Sequence, residues 1–448
     1  MWICPASFLH PLPCAPGPER FYDSPMAGLL HEIDPREFDS PGFQKDPFPL
    51  YQRLRDHHPL FRDRFHNRWM ISRYEDVFAA FQDNDSFDRA LYKPDGPYEF
   101  GSSHVFGPNI LEYGNSDRHR WLRNVVAGQF VGQGLVSFVP IIEKIAAELL
   151  ESCVADGEVE LVTQFSNQFP IRVISNMLGL PRADEEKFVG WYQSLIAGLG
   201  FGGEHLSRGL AARNEMWVYL EPLIAERLAT PGDDLLSKLC VAELDGVRMS
   251  LDEVKGFIAL LLAAGGDTTD KAIANMWFHM LYTRPDQFED VKADPSLWEN
   301  VFAEMMRFDP VVHIQSRFTT REVEMYGRVI PERALVLLYL GAGNRDERVF
   351  KNPDTFDIHR TDMHIGRENR SARYKSQLRG HLGFGVGQHF CMGYAMARQE
   401  AVIACQRMME VMKNPRPKFA VHEGITSPSI DSGGFRSPRE LWISFDKA

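Results

Sequence analysis

One run of residues restricts this chain more than any other. Phe384-Gly385-Val386-Gly387-Gln388-His389-Phe390-Cys391-Met392-Gly393 leads straight into an apolar segment, Tyr394–Met409. Gly383, Gly385 and Gly387, ahead of the cysteine, permit a tight backbone path that other residues rarely adopt. Cys391 then stands where a loop becomes a helix, and helix N-terminal amides stabilise a thiolate. Taken alone, the run admits a buried structural cysteine, a phosphate loop or a thiolate ligand. A phosphate loop calls for Gly-Lys-Ser/Thr after the glycines, and Gln388-His389 stands there instead. A lone thiolate, with no second Cys or His at metal spacing, suits an axial haem position better than zinc.

The rest of the chain narrows the class. Its 448 residues are 44% hydrophobic and 25% charged, which excludes collagen-like, coiled-coil and wholly disordered chains. With a formal net charge of −12, the basic excess of a nucleic-acid binder is missing. The six cysteines (Cys4, Cys14, Cys153, Cys240, Cys391, Cys405) contain no C-x-x-C pair, so neither a disulfide framework nor a zinc ribbon is expected. The longest strongly apolar run, Phe257–Gly266, is ten residues, about half a membrane span. Five prolines within the first 20 residues interrupt any signal-peptide core. The expectation is a soluble, cytoplasmic protein with neither a membrane nor a nucleic-acid partner.

Residues 1–30 read as a poorly ordered extension, with Met26 an alternative start, and 31–448 as one large domain. Arg68–Ser72 has strand character, and Arg73–Val77 opens a helix. Residues 85–112, rich in Gly, Pro and Asp with scattered aromatics, read as a functional or disordered loop. From about 117 to 283 the apolar period is helical, and Leu251–Arg284 reads as one long helix. A further helix starts near Pro295 and stops at Phe308. Strand-like alternation over 317–340, with a turn at Tyr326-Gly327, precedes the cysteine loop. The last helix runs through Met412, and a short strand occupies Leu441–Phe445. The expected fold class is mainly α with small β-sheets.

Two more segments carry chemistry. Glu304 and Arg307 stand three apart on a predicted helix and so share a face; alone, that is what a surface ion pair looks like. Ala264-Gly265-Gly266-Asp267-Thr268-Thr269 puts two glycines and an acid inside the long apolar helix. Each glycine costs about 1 kcal/mol there, and a buried charge needs a partner. Alone, this suits a kinked helix with a satisfied acid. Together with the cysteine run, these segments resemble the cytochromes P-450, the haem-thiolate monooxygenases. The matches are F-G-x-G-x-H-x-C-x-G in its bacterial form, E-x-x-R, and A-G-x-D-T-T, and the resemblance spans about residues 46–445.

The resemblance implies haem (heme b) between the long helix and the cysteine loop. Cys391 would be the proximal iron ligand, His389 a donor to a propionate, and Phe384 a neighbour of the sulfur. Glu304, Arg307 and Arg360 would form a structural network on the cysteine side, with no catalytic role. Asp267 and Thr268 would pass protons toward dioxygen, the Thr268 hydroxyl loosening its helix's hydrogen bonds. Thiolate donation would favour heterolysis of the O–O bond. Asp117–Arg123 resembles the family's H-x-x-x-R segment, which assigns His119 and Arg123 to one propionate. Arg317 is assigned to the other, where a guanidinium fork suits a carboxylate. By position, Ala263, Ala264, Gly265, Val312, His313, Ile314 and Ile430 would line the substrate pocket with the 85–112 loop. That is an apolar cavity for a lipophilic small molecule such as a terpenoid or steroid, with His313 a polar exception that either hydrogen-bonds a substrate or is paired with protein or water.

Only 57 residues follow Cys391, too few for a reductase. Electrons from NAD(P)H are therefore expected through a separate ferredoxin-type redox partner. Between Arg360 and Phe384 lie Arg367, Arg370, Arg373, Lys375 and Arg379 against Asp362 and Glu368. This reads either as a solvated loop or as the dock for an acidic donor on the cysteine side. Two other functions fit parts of the pattern: a peroxide-driven peroxygenase or isomerase on the same fold, and a non-catalytic haem-binding sensor or carrier. Asp267-Thr268 argues against both, because neither needs proton delivery to dioxygen.

Overall fold

The computed structural model describes residues 32–89, 102–114, 116–199, 203–364, 378–422, 426–431 and 434–446. The expected N-terminal extension, most of the 85–112 loop tip, and Arg367, Arg370, Arg373 and Lys375 lie outside these. Asp34–Ala448 forms one unit.

Five helices position the site: α1 (Tyr74–Gln82), α2 (Asp117–Phe130), α3 (Leu251–Phe278), α4 (Trp298–Phe308) and α5 (Tyr394–Val411). α2 starts where the Ser116 hydroxyl accepts the His119 amide at 3.2 Å. α3 starts on a capping box, with the Ser250 hydroxyl taking the Glu253 amide and the Glu253 carboxylate taking the Ser250 amide. Apolar on nearly every side, α3 has to run through the core. Between Val254 and Phe278 only Ala264, Gly265, Thr268 and Lys271 escape burial. Residues 264, 268 and 271 share one face at helical spacing, so the core helix opens along a single stripe.

α3 is shorter than the expected Leu251–Arg284. A π-helical turn covers His279–Thr283, and a new helix begins at Pro285. Proline disfavours helical geometry in the residue before it, and Arg284 accordingly sits at φ −136°, ψ 59°.

The strands are few and short. In chain order they are β1 (Leu60–Asp63), β2 (Arg68–Ile71), β3 (Phe87–Asp88), β4 (Glu158–Glu160), β5 (Ile314–Thr319), β6 (Leu335–Tyr339), β7 (Lys413–Pro417), β8 (Ser429–Ile430), β9 (Arg436–Ser437) and β10 (Trp442–Asp446), with two small hairpins besides. One sheet has the order β1-β2-β6-β5-β3, and another β7-β10-β4. Pairing of Asp88 with Phe318 brings the chain just past β3 beside Arg317 on β5. β4 interrupts the stretch read as wholly helical. Three residues are too few to show alternation, and its partner β10 comes from the far end of the chain. Among the described residues, no single helix is long and apolar enough to cross a membrane.

Candidate active site

The cysteine loop takes the path its glycines allow. Gly385 and Gly387 adopt φ 70° and 76°, and a Cβ on Gly387 would stand 3.1 Å from the Phe81 carbonyl at the end of α1. The Cys391 amide donates to the Phe384 carbonyl at 3.0 Å, and the Phe390 amide to the Gly387 carbonyl at 3.1 Å. Arg123 on α2 reaches the Phe390 carbonyl at 2.5 Å, tying that helix to the loop. The Phe384 ring packs against Tyr394 at 5.1 Å and Phe302 at 6.1 Å. Cys391 keeps exposed surface at this junction. Burial pushes this thiol up, while the amides of Gly393 and Tyr394 and the charges of Arg123 and Arg89 pull it down.

Around it gather basic side chains that lower one another's proton affinity. The His119 and His389 rings lie 4.5 Å apart. Burial, Arg123 and Arg89 hold His119 down to about 4. Burial, His119 and three arginines hold His389 down to about 3. Burial and the neighbouring Arg89 lower Arg317 to about 9, with Asp88 as partial relief. Burial also lowers Arg89. His119 Nδ1 is buried with no hydrogen-bond partner. Desolvated arginines beside two histidines held neutral fit an anionic ligand whose acid groups settle among them. The two propionates of haem would meet that need, with Cys391 as the thiolate ligand. Arg89 was not found from sequence; it stands in an irregular stretch, and only the sheet register brings it here.

On α4, Glu304 receives Arg307 through Nε at 2.8 Å and Nη2 at 2.7 Å. It also receives Arg360 Nε at 3.1 Å and the Asp357 amide at 2.9 Å. Arg307 further donates to the carbonyls of Asn344, Pro353 and Thr355. This pair is therefore not the surface bridge that spacing alone suggests: Glu304 is 1% and Arg307 0% exposed.

On α3 the Thr268 hydroxyl donates to the Ala264 carbonyl at 2.8 Å, one turn back. Asp267 is buried and ion-paired with Lys271 through Oδ1, while its Oδ2 has no hydrogen-bond partner. The i, i+4 spacing of Asp267 and Lys271 was legible, but Lys271 was not singled out.

Of the residues assigned to the pocket, Ala264, Gly265, Val312 and Ile314 keep exposed surface. Three do not. Ala263 is fully buried on the core side of α3, and Ile430 is 4% exposed. His313 is enclosed, its Nδ1 3.1 Å from the Tyr51 hydroxyl and its Nε2 3.2 Å from Asp309 Oδ1. With both ring nitrogens engaged, it is a satisfied core histidine and not a substrate contact. Arg379, the described member of the basic segment, pairs with Glu75 at 3.0 Å.

The sequence profile of the family described as Cytochrome P450 matches residues 191–413. Pulcherriminic acid synthase of Bacillus subtilis (strain 168) is 32% identical over 414 residues, covering 91% of this chain and 96% of that protein. 6-Deoxyerythronolide B hydroxylase of Saccharopolyspora erythraea is 32% identical, over 83% of this chain and 90% of its own. Among solved structures, P450BioI in complex with an acyl carrier protein superposes with TM-score 0.78 at 27% identity, covering 90% of this chain and 100% of that one. CalO2 gives TM-score 0.79 at 26% identity, covering 93% and 100%.

The chain belongs to the cytochrome P450 family, in its bacterial branch. Its fold is the P450 fold, and it is a haem-thiolate monooxygenase.

Proposed function

We propose that this monooxygenase places one oxygen atom from dioxygen into a lipophilic small molecule of terpenoid or steroid size, taking electrons from a separate ferredoxin-type partner. The observation that carries the reading is the group of desolvated basic side chains Arg89, His119, Arg317 and His389, with Arg123, beside the Cys391 thiol. Bound haem supplies dioxygen binding and O–O cleavage. Cys391 is its thiolate ligand in this reading, its charge stabilised by the Gly393 and Tyr394 amides. Phe384 covers the loop, and the cations hold the propionates. Asp267 carries the proton and Thr268 hands it into the exposed stripe of α3, where Ala264 and Gly265 leave room for substrate. Val312 and Ile314 give the space apolar walls. Glu304, Arg307 and Arg360 keep the chain around the cysteine loop in place and take no part in the chemistry.

Thr268→Ala tests the reading. With NADPH, ferredoxin and its reductase, and whichever steroid or terpenoid shifts the haem spin state, product per NADPH should fall. The missing electrons should appear as hydrogen peroxide. Undiminished coupling, or peroxide alone supporting product as fast as the donor chain, would speak for the peroxygenase instead.

A further inference from the structure

A cleft of about 500 Å³, within the range of small-molecule sites, opens where several elements end. Phe278 and His279 at the end of α3, Phe308 and Asp309 at the end of α4, and Arg436 on β9 meet there. The start of the helix Phe48–His57 closes one side, and Pro428, beside β8, another. None of the basic residues around Cys391, and none of the open stripe of α3, lines it.

Its inner end is polar and buried: Arg345, Arg436, His279 and Asp309 are all at most 6% exposed. The Arg345 guanidinium is clamped between the Phe48 and Phe308 rings, 3.3 and 3.6 Å from their centres. Its Nε donates to the Phe308 carbonyl at 2.8 Å and its Nη1 to Asp354 at 3.3 Å. Arg436 stands 5.5 Å from the same Phe48 ring. Its Nε donates to Asp309 Oδ1 at 2.8 Å, and its Nη1 to the carbonyls of Lys45 at 3.0 Å and Gln44 at 3.4 Å. Among the described residues, neither Nη2 has a hydrogen-bond partner. His279 Nε2 is likewise buried without a hydrogen bond, 3.4 Å from Asp309 Oδ2.

Over the whole cleft the charges cancel, Lys45, Arg345 and Arg436 against Asp46, Asp309 and Asp354. The acids are unevenly placed, however. Asp46 and Asp354 are exposed at the mouth, and Asp46 accepts the Phe48 amide at 3.2 Å. At the inner end two guanidinium groups meet one carboxylate, whose Oδ1 already serves both Arg436 and His313. Unused edges of two guanidinium forks call for a carboxylate from outside. Phe48, Phe278, Phe308 and Pro428 suit an apolar body behind it.

We propose that this cleft binds a small organic acid, a carboxylate carried on a short apolar body. The carboxylate accepts from Nη2 of Arg345 and of Arg436. The His279 tautomer that accepts the Thr283 hydroxyl at Nδ1, 3.0 Å away, offers Nε2–H as a third donor. The inference stands apart from the haem chemistry.

Calorimetric titration of the haem-loaded protein with phenylacetate and with hexanoate tests it, with the Soret band recorded alongside. At least one acid should bind saturably at a single site while the Soret band stays in place. Phenethyl alcohol, which has the ring without the charge, should bind more weakly, on the order of 10-fold or more. Gln52→Trp, at the exposed mouth, should fill the cleft and abolish binding while leaving the buried pairs intact. Arg436→Lys keeps a cation beside Asp309 but loses the fork, and should weaken binding on the order of 10-fold. No saturable heat with either acid, equal affinity for the alcohol, or binding that survives Gln52→Trp would overturn the proposal.

Discussion

Glu304→Ala is expected to lower stability by about 3–5 kcal/mol, because it leaves the buried Arg307 guanidinium without its carboxylate and takes one of two from Arg360, which keeps Asp362 at 3.0 Å. The argument lies in the enclosure. Arg307 is wholly buried and Glu304 nearly so, with paired contacts at 2.7 and 2.8 Å and Arg360 on the same carboxylate at 3.1 Å. Arg307 keeps three carbonyl acceptors after the change, but its charge loses its counter-ion. A loss of that size consumes much of the roughly 5–15 kcal/mol by which a domain is usually folded. Denaturant unfolding at low temperature checks it, with the yield of haem-loaded protein as a second readout. Glu304→Gln keeps the shape and removes the charge, so it should also destabilise. A cost below about 1 kcal/mol, the range of exposed ion pairs, would contradict the account.

Replacing Arg89 and Arg317 together by leucine should have effects of opposite sign on the two forms of the protein. Without haem, both arginines are desolvated, and Arg317 lies within the field of Arg89. Removing them relieves that repulsion, so the haem-free chain should unfold at higher temperature than wild type. With haem, each arginine would be, on the proposed reading, a charge-assisted donor to a propionate, worth about 1.5–3 kcal/mol. That corresponds to a loss of affinity on the order of 10- to 100-fold per arginine. Transfer of haem to apomyoglobin measures the second effect, and calorimetry of haem-free protein the first. Equal destabilisation of both forms would mean that the arginines are merely structural.

Much of the site was legible because its motifs are local. The turn geometry of Gly385 and Gly387, the shared face of Glu304 and Arg307, and the Gly-Gly-Asp-Thr interruption of α3 each lie within ten residues. What was missed depends on partners distant along the chain. Arg89 enters the cation group only because Asp88 pairs with Phe318. His313, open from sequence to a substrate contact or to a partner within the protein, proves to be the second, and its partner Tyr51 lies 262 positions away. β4 needs β10 to exist at all. Two local signals were present and not read. Lys271 stands four residues after Asp267, and Asp245-Gly246, with φ 52° and 80°, turns a small hairpin within the stretch taken as helical.

The central claim is that Cys391 is a thiolate ligand to haem. It is tested most directly by the absorption spectrum of dithionite-reduced protein under carbon monoxide, recorded for wild type and for Cys391→Ser. The account predicts a strongly red-shifted Soret band in wild type. In Cys391→Ser that shift should vanish while haem remains bound among Arg89, His119, Arg123, Arg317 and His389. An unshifted band in haem-replete wild type, or the same red-shifted band in Cys391→Ser, would contradict it.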